Sequence, residues 1–194
     1  MTAMEFFRRS AGKWRSQRTT HHLPFRRAET GDSDILVRTL AADSSEVVEI
    51  CQLHNIDPSL AMGGAFVRWE ASMAWDKEDE NHAGTTVFAL VPESDDLRTG
   101  KLLRERGYAE IVPVVGHFEM DDEDGLILIT DYETMSIFER FWFASPNLRL
   151  RTSTVKRFGG FNTATFCAEV RIEEEDSNQN ISSETTSLYS VTGW

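Results

Sequence analysis

The 194-residue chain has only two cysteines, Cys51 and Cys167, and no CxxC pair. That scarcity points to a reducing intracellular compartment rather than a disulfide framework, and no metal site is expected. No apolar run approaches the roughly 18 residues that a membrane-spanning helix needs. The N-terminus carries no apolar h-region, so export is not expected and the cytoplasm is the natural location. Excess positive charge is missing too. A formal net charge of −12 argues against a general nucleic-acid binder, whose affinity rests on basic contacts to phosphate. No internal repeat is evident.

What is present is aromatic and unevenly charged. Five Trp and twelve Phe need walls to pack against. Residues 1–27 hold seven basic side chains against one acid, Glu5, while acid collects in Glu119–Asp124 and Glu173–Asp176. Solvated faces account for the two acidic runs. Some of the basic charges, by contrast, sit inside an alternating pattern.

The pattern predicts a short helix over Met4–Arg9 with Thr2 as cap, and a strand over Lys13–Leu23 closed by a turn cluster at Glu29–Ser33. A strand over Ile35–Ala41 and a helix over Ser45–His54 follow, the helix striped by Val47, Val48, Ile50 and Cys51. A long strand then runs from Gly63 to about Trp75. Seven further strands are expected at Thr85–Val91, Lys101–Glu105, Val112–Met120, Leu126–Tyr132, Met135–Ala144, Leu148–Lys156 and Phe161–Ile172. Turns separate several of them, at Asp121–Gly125, Ser145–Asn147 and Phe158–Gly160. About ten strands in a hairpin meander favour a closed barrel, all-β apart from the one or two short helices. Residues 1–172 form this single domain. From Glu173 the composition turns to Glu, Ser, Thr and Asn, so 173–194 is an acidic, polar tail expected to be disordered.

Alternation along strands sorts the chemistry by face. Trp69, Ala71, Met73 and Trp75 share one side of their strand. Arg149, Arg151 and Ser153 align, as do Trp14, Ser16, Arg18 and Thr20, with His21 pointing the other way. The set Met135, Ile137, Glu139, Phe141 and Phe143 is one face; Phe161, Thr163, Thr165, Cys167 and Glu169 is another. Taken singly, each Trp is more often core or rim than a ligand platform, Arg149 and Arg151 are more often surface charges, and Glu139 beside Arg140 fits a solvated position. Taken together, rings beside Arg forks and isolated carboxylates suit a flat, conjugated ligand with anionic arms. Alternation alone implies a ligand-binding barrel and leaves the ligand open.

The block from Trp142 to Ser153 (WFASPNLRLRTS), followed by Lys156–Phe161 (KRFGGF) and Phe166–Glu169 (FCAE), resembles the S-type phycobiliprotein lyases. So do Glu5–Phe7, Gly12–His22, Asp57–Gly64, Trp69, Trp75 and Tyr132–Met135. The resemblance spans about residues 4–172. It implies a lipocalin-like (calycin) ten-stranded antiparallel β-barrel. It also implies a chromophore lyase, which holds phycocyanobilin or phycoerythrobilin non-covalently and promotes its thioether attachment to a cysteine of a phycobiliprotein subunit.

On that resemblance Arg18, Arg149 and Arg151 are a propionate clamp, with Ser153 beside them, and Trp69 and Trp75 are ring-stacking walls. Glu139 and Glu169 face the pyrrole N–H groups, and His21 matches a position whose loss damages the site. The bilin is substrate rather than a resident cofactor, and the partner is the apo-subunit. A homodimer or a heterodimer with a paralogue both remain compatible. Cyanobacterial cytoplasm, or plastid stroma in an alga, is the implied setting. A bilin carrier without transferase activity, or a fatty-acid-type carrier on the same barrel, are the competing readings.

Overall fold

In the computed structural model the described residues are 1–73, 82–105, 113–157 and 160–172. Everything structural below concerns these residues. Ten antiparallel strands close into one barrel: β1 (Gly12–His22), β2 (Arg27–Leu40), β3 (Gly63–Met73), β4 (His82–Pro92), β5 (Thr99–Arg104), β6 (Val114–Met120), β7 (Leu126–Asp131), β8 (Met135–Ser145), β9 (Leu148–Arg157) and β10 (Gly160–Ile172). Each strand pairs with its neighbours in sequence, and β10 returns to β1. Closure leaves no sheet edge with unpaired backbone.

The barrel was legible from alternation; one turn was not. Glu29–Ser33, expected as a turn cluster, lies inside β2 and pairs with Thr20–Ser16 of β1 in continuous register. Turn propensity there is overridden by ladders, since Gly31–Ser33 also pairs with β3. The chain reverses earlier, through the 3-10 turn Leu23–Phe25, with Pro24 in its first turn and Arg26 left-handed at φ 52°.

Helix α1 (Ala3–Ser10) closes one end. Thr2 caps it as predicted, in a full capping box with Glu5. Its buried residues Met4, Phe6 and Phe7 enter the interior cluster with Phe88, Leu90, Leu102, Phe118 and Leu126. The helix is held from the strands. The Trp14 indole N–H donates to the Ser10 carbonyl at 2.8 Å. Arg171 of β10 donates to the Ala11 and Arg9 carbonyls at 2.5 and 2.6 Å, and its guanidinium stacks 4.2 Å from the Trp14 ring. A cation on the carbonyl end of a helix satisfies acceptors that have no intrahelical partner.

Helix α2 (Ser45–Leu53), capped by Ser44, packs on the outside of β4 and β5. Val47, Ile50 and Cys51 meet Ala89, Val91 and Leu103 there. Burial raises the Cys51 thiol pKa, as befits a packing residue.

Candidate functional site

Because α1 plugs one end, strand direction fixes the other. The mouth, the end away from α1, is where β1, β3, β5, β7 and β9 finish and where β2, β4, β6, β8 and β10 begin. Between plug and mouth lies a cavity of about 340 Å³, within the range of small-molecule sites. Its floor is apolar: Phe6 and Phe7 from α1, with Val37, Phe88, Leu126 and Leu128. One wall is charged. That wall is the sheet β1–β10–β9–β8, where register brings inward-facing residues into tiers. Ser16 lies beside Glu169, and Glu169 beside Arg149. One step toward the mouth, Arg18 adjoins Cys167, Cys167 adjoins Arg151, and Arg151 adjoins Phe141. The next step aligns Thr20, Thr165, Ser153 and Glu139.

The deepest tier is an ion pair away from water. Arg149 Nε donates to Glu169 Oε2 at 2.6 Å, with side-chain exposures of 6% and 1%. The Arg149 guanidinium also lies 4.8 Å from the Trp14 ring centroid. Burial draws the Arg149 pKa below its ordinary value, and the Glu169 carboxylate offsets that only in part. Arg151, nearer the mouth, reaches three acceptors. Its Nη1 donates to Glu139 Oε1 at 3.5 Å, its Nη2 to Cys167 Sγ at 3.3 Å, and its Nε stands 3.7 Å from Glu169 Oε1. Burial works against its charge, but Cys167, Glu169 and Glu139 together more than offset that and raise its pKa. Glu169 Oε1, Ser16 Oγ and Arg151 Nε are buried without a hydrogen-bond partner. Such groups are costly to leave unmet; of the three, those of Glu169 and Arg151 belong to residues that line the cavity.

The opposite wall is aromatic and aliphatic. Trp69 of β3 lies over β4 at Gly84, where a Cβ would stand 2.3 Å from the indole Cζ2. Only a residue without a side chain lets the indole lie against the sheet there. Ile35, Val67, Ala71 and Thr86 complete that side.

Of the residues singled out from sequence, Arg18, Trp69, Glu139, Arg149, Arg151 and Glu169 all line the one cavity. Ser153 faces it from the tier of Glu139 by register, although it does not line it. Trp75 lies outside the described residues, as does the 173–194 segment. His21 is exposed on the outer face, paired in register with Ala164 and Ala28; strand alternation turns it away from the cavity, so direct contact with a bound ligand is not available to it. Phe161, grouped with the inward face of β10, is 62% exposed, because the register shifts between Phe161 and Thr163.

Four contributors were missed. Arg104 at the end of β5 lines the cavity and is almost fully buried; it shares a face with Leu102, so alternation could have found it. Phe6 and Phe7 were placed on a helix, but no local signal said that the helix enters the barrel. Gly84 carries no signal beyond being a glycine in a strand. With Arg104 included, the described lining holds four arginines against two glutamates, an excess of two positive charges inside a chain of net charge −12.

Comparisons with known proteins agree with this architecture. A family described as "CpeS-like protein" matches residues 2–172. Chromophore lyase CpcS/CpeS 2 of Trichodesmium erythraeum is 67% identical, covering 100% of both chains. Phycocyanobilin lyase subunit CpcS of a Picosynechococcus species is 62% identical over 99% of this chain and 97% of its own. Among solved structures, the S-type phycobiliprotein lyase CPES from Guillardia theta superposes with a TM-score of 0.78 at 38% identity, covering 90% of this chain and 95% of that one. A match over the whole barrel, at identities this high, means that the chain belongs to the CpeS-like family of chromophore lyases.

Proposed function

We propose that the barrel binds an open-chain tetrapyrrole, phycocyanobilin or phycoerythrobilin, without a covalent bond, and promotes its attachment to a cysteine of a phycobiliprotein subunit in the cytoplasm. The observation that carries this reading is the charge pattern of the cavity. An aromatic and apolar interior with two surplus positive charges and buried carboxylate oxygens matches a conjugated ligand bearing two propionates and a row of pyrrole N–H groups.

The chemistry asked of the protein is modest. The acceptor sulfur bonds to the ethylidene carbon of ring A, the S–H bond breaks, and the proton is taken up by the conjugated system. Holding the ligand in one conformation selects the carbon and face attacked, which is worth several kcal/mol. Arg18 and Arg151 meet the propionates. Arg149 acts deeper, fixing the Glu169 carboxylate in the cavity wall. Glu169 and Glu139 accept pyrrole N–H bonds and favour the protonated, more electrophilic form. His21 supports the β1–β2 pair near the mouth. The nucleophile is the partner's cysteine, and the bilin is substrate, so the reaction needs no resident cofactor.

The test is co-production with bilin-forming enzymes and an apo-subunit, read by zinc-induced fluorescence of the subunit on a denaturing gel. Transfer is expected, and Arg151→Ala should weaken bilin binding by about 1.5–3 kcal/mol, the usual worth of a hydrogen bond to a charged group. The Cys51→Ser/Cys167→Ser double variant should retain transfer. Binding without transfer would make the protein a carrier; no tetrapyrrole absorbance at all would end the proposal.

A further inference from the structure

One feature of the surface is not used by the cavity. At the mouth, the 3-10 turn Leu23–Phe25 packs against β10, and the end of β9 lies on the other side of β10. Phe25 is 72% and Phe161 62% exposed. Beside them stand Arg26, Arg27, Lys156 and Arg157, all exposed. The register makes this one arc of the rim: His22 pairs with Arg27 and with Thr163, and Phe161 pairs with Lys156. Among the described residues, Glu29 on this arc is engaged by His22 at 2.9 Å, and Asp131 and Glu133 bound it beyond the Met135–Arg157 pair.

We propose that this basic, aromatic arc is the docking surface for the acceptor protein, a folded partner presenting its cysteine among carboxylates. The inference rests on the proposed bilin transfer and adds where the partner sits. Two observations select this occupant. The arc borders the mouth, the barrel end that α1 does not plug. Its four cations also stand against the sign of a chain of net charge −12, which a solvated face would not require. Exposed rings beside Arg are the composition of interface centres, and opposite charge on the partner steers encounter and fixes orientation. A nucleic acid is disfavoured by the overall charge.

The experiment titrates bilin-free protein against an apo-phycocyanin subunit at about 50 mM and about 300 mM salt, on either side of strong screening. Arg27→Glu/Arg157→Glu should weaken docking about tenfold at low salt and flatten its salt dependence, as rim charges do. Phe25→Ser/Phe161→Ser should weaken it by about tenfold at both salts. Bilin affinity, followed separately by absorbance, should match the parent in both variants, which also reports that the barrel is intact. Parent-like docking by both variants overturns the proposal. So does loss of bilin affinity, which would make the arc part of the ligand site, or tighter binding of the parent to anionic phosphatidylserine vesicles than to the subunit. Because docking is read without bilin, a failure of the transfer reading shows in a different arm, as absent tetrapyrrole absorbance.

Discussion

Glu169→Gln removes one negative charge from the most enclosed part of the cavity. In the parent, that charge faces two cations, Arg149 Nε at 2.6 Å and Arg151 Nε at 3.7 Å. Arg151 keeps Glu139. The nearest carboxylate to Arg149 is Glu169; the Trp14 and Phe141 rings lie beside it, and the Arg151 and Arg171 charges repel it. Breaking a buried pair by removing one partner costs about 3–5 kcal/mol. Gln retains an acceptor for the Arg149 N–H, so the lower part of that range, about 3 kcal/mol, is expected. For a chain of this size that corresponds to a fall in Tm of roughly 6–12 °C.

Two controls separate the charge from the shape. Glu139→Gln should cost only about 1 kcal/mol, because its contact with Arg151 is a long 3.5 Å. Glu169→Gln/Arg149→Met removes both charges and should recover most of the loss, since a neutral buried pair no longer strands an ion. Thermal unfolding followed by circular dichroism measures all three. A Glu169→Gln protein within about 1 kcal/mol of the parent would refute the reasoning, because the pair would then behave as a solvated one.

Three other perturbations have defined outcomes. Gly84→Ala places a Cβ against the Trp69 indole; overpacking should cost about 1–3 kcal/mol, shift tryptophan fluorescence and weaken bilin binding, whereas unchanged fluorescence would mean that the indole does not rest there. Arg171→Leu leaves the carbonyls at the end of α1 without their donor and should destabilise the plug by about 1.5–3 kcal/mol, seen as faster hydrogen exchange in residues 3–10 than in the strands. Burial works against the Asp121 charge, but the Arg140 guanidinium and the Gly125 and Glu123 N–H groups outweigh it and hold the carboxyl below the usual range. Its contribution is therefore fully present above the ordinary Asp value of about 3.9 and is lost as pH falls through the lower folded-state value. The stability gap between parent and Asp121→Asn, measured by urea unfolding, should close over that acid window; a gap constant down to about pH 2 would contradict the assignment.

The parts of this barrel legible in sequence are those governed by the period-2 rule acting on unbroken strands. In β9, Arg149 and Arg151 fall on the same face because the register across both neighbours is continuous there. Phe161 was assigned to the wrong environment because alternation fails across an irregularity that leaves no residue signature. Glu29–Ser33 misled for a different reason: turn-forming residues were read locally, while two flanking strands decide their conformation. Which carboxylate meets which guanidinium was not legible at all. Glu169 and Arg149 are twenty positions apart, and only the β9–β10 register makes them partners.

That pairing changes what the arginines do. Three cations on one face read as three equivalent anchors for carboxylates, but depth separates them. Arg149 holds Glu169 through a short Nε contact of 2.6 Å away from water, and breaking that buried pair to engage a ligand would be costly. Arg151 spreads its donors over Glu139, Cys167 and Glu169 at 3.3–3.7 Å, longer than the usual charge-assisted bond. A propionate could therefore take its Nη atoms without leaving a buried carboxylate stranded, since Glu139 would then be free to accept a pyrrole N–H. On the proposed function, the same movement of Arg151 would free Glu139 for the ligand's N–H groups while engaging its acid, coupling two contacts through one side chain.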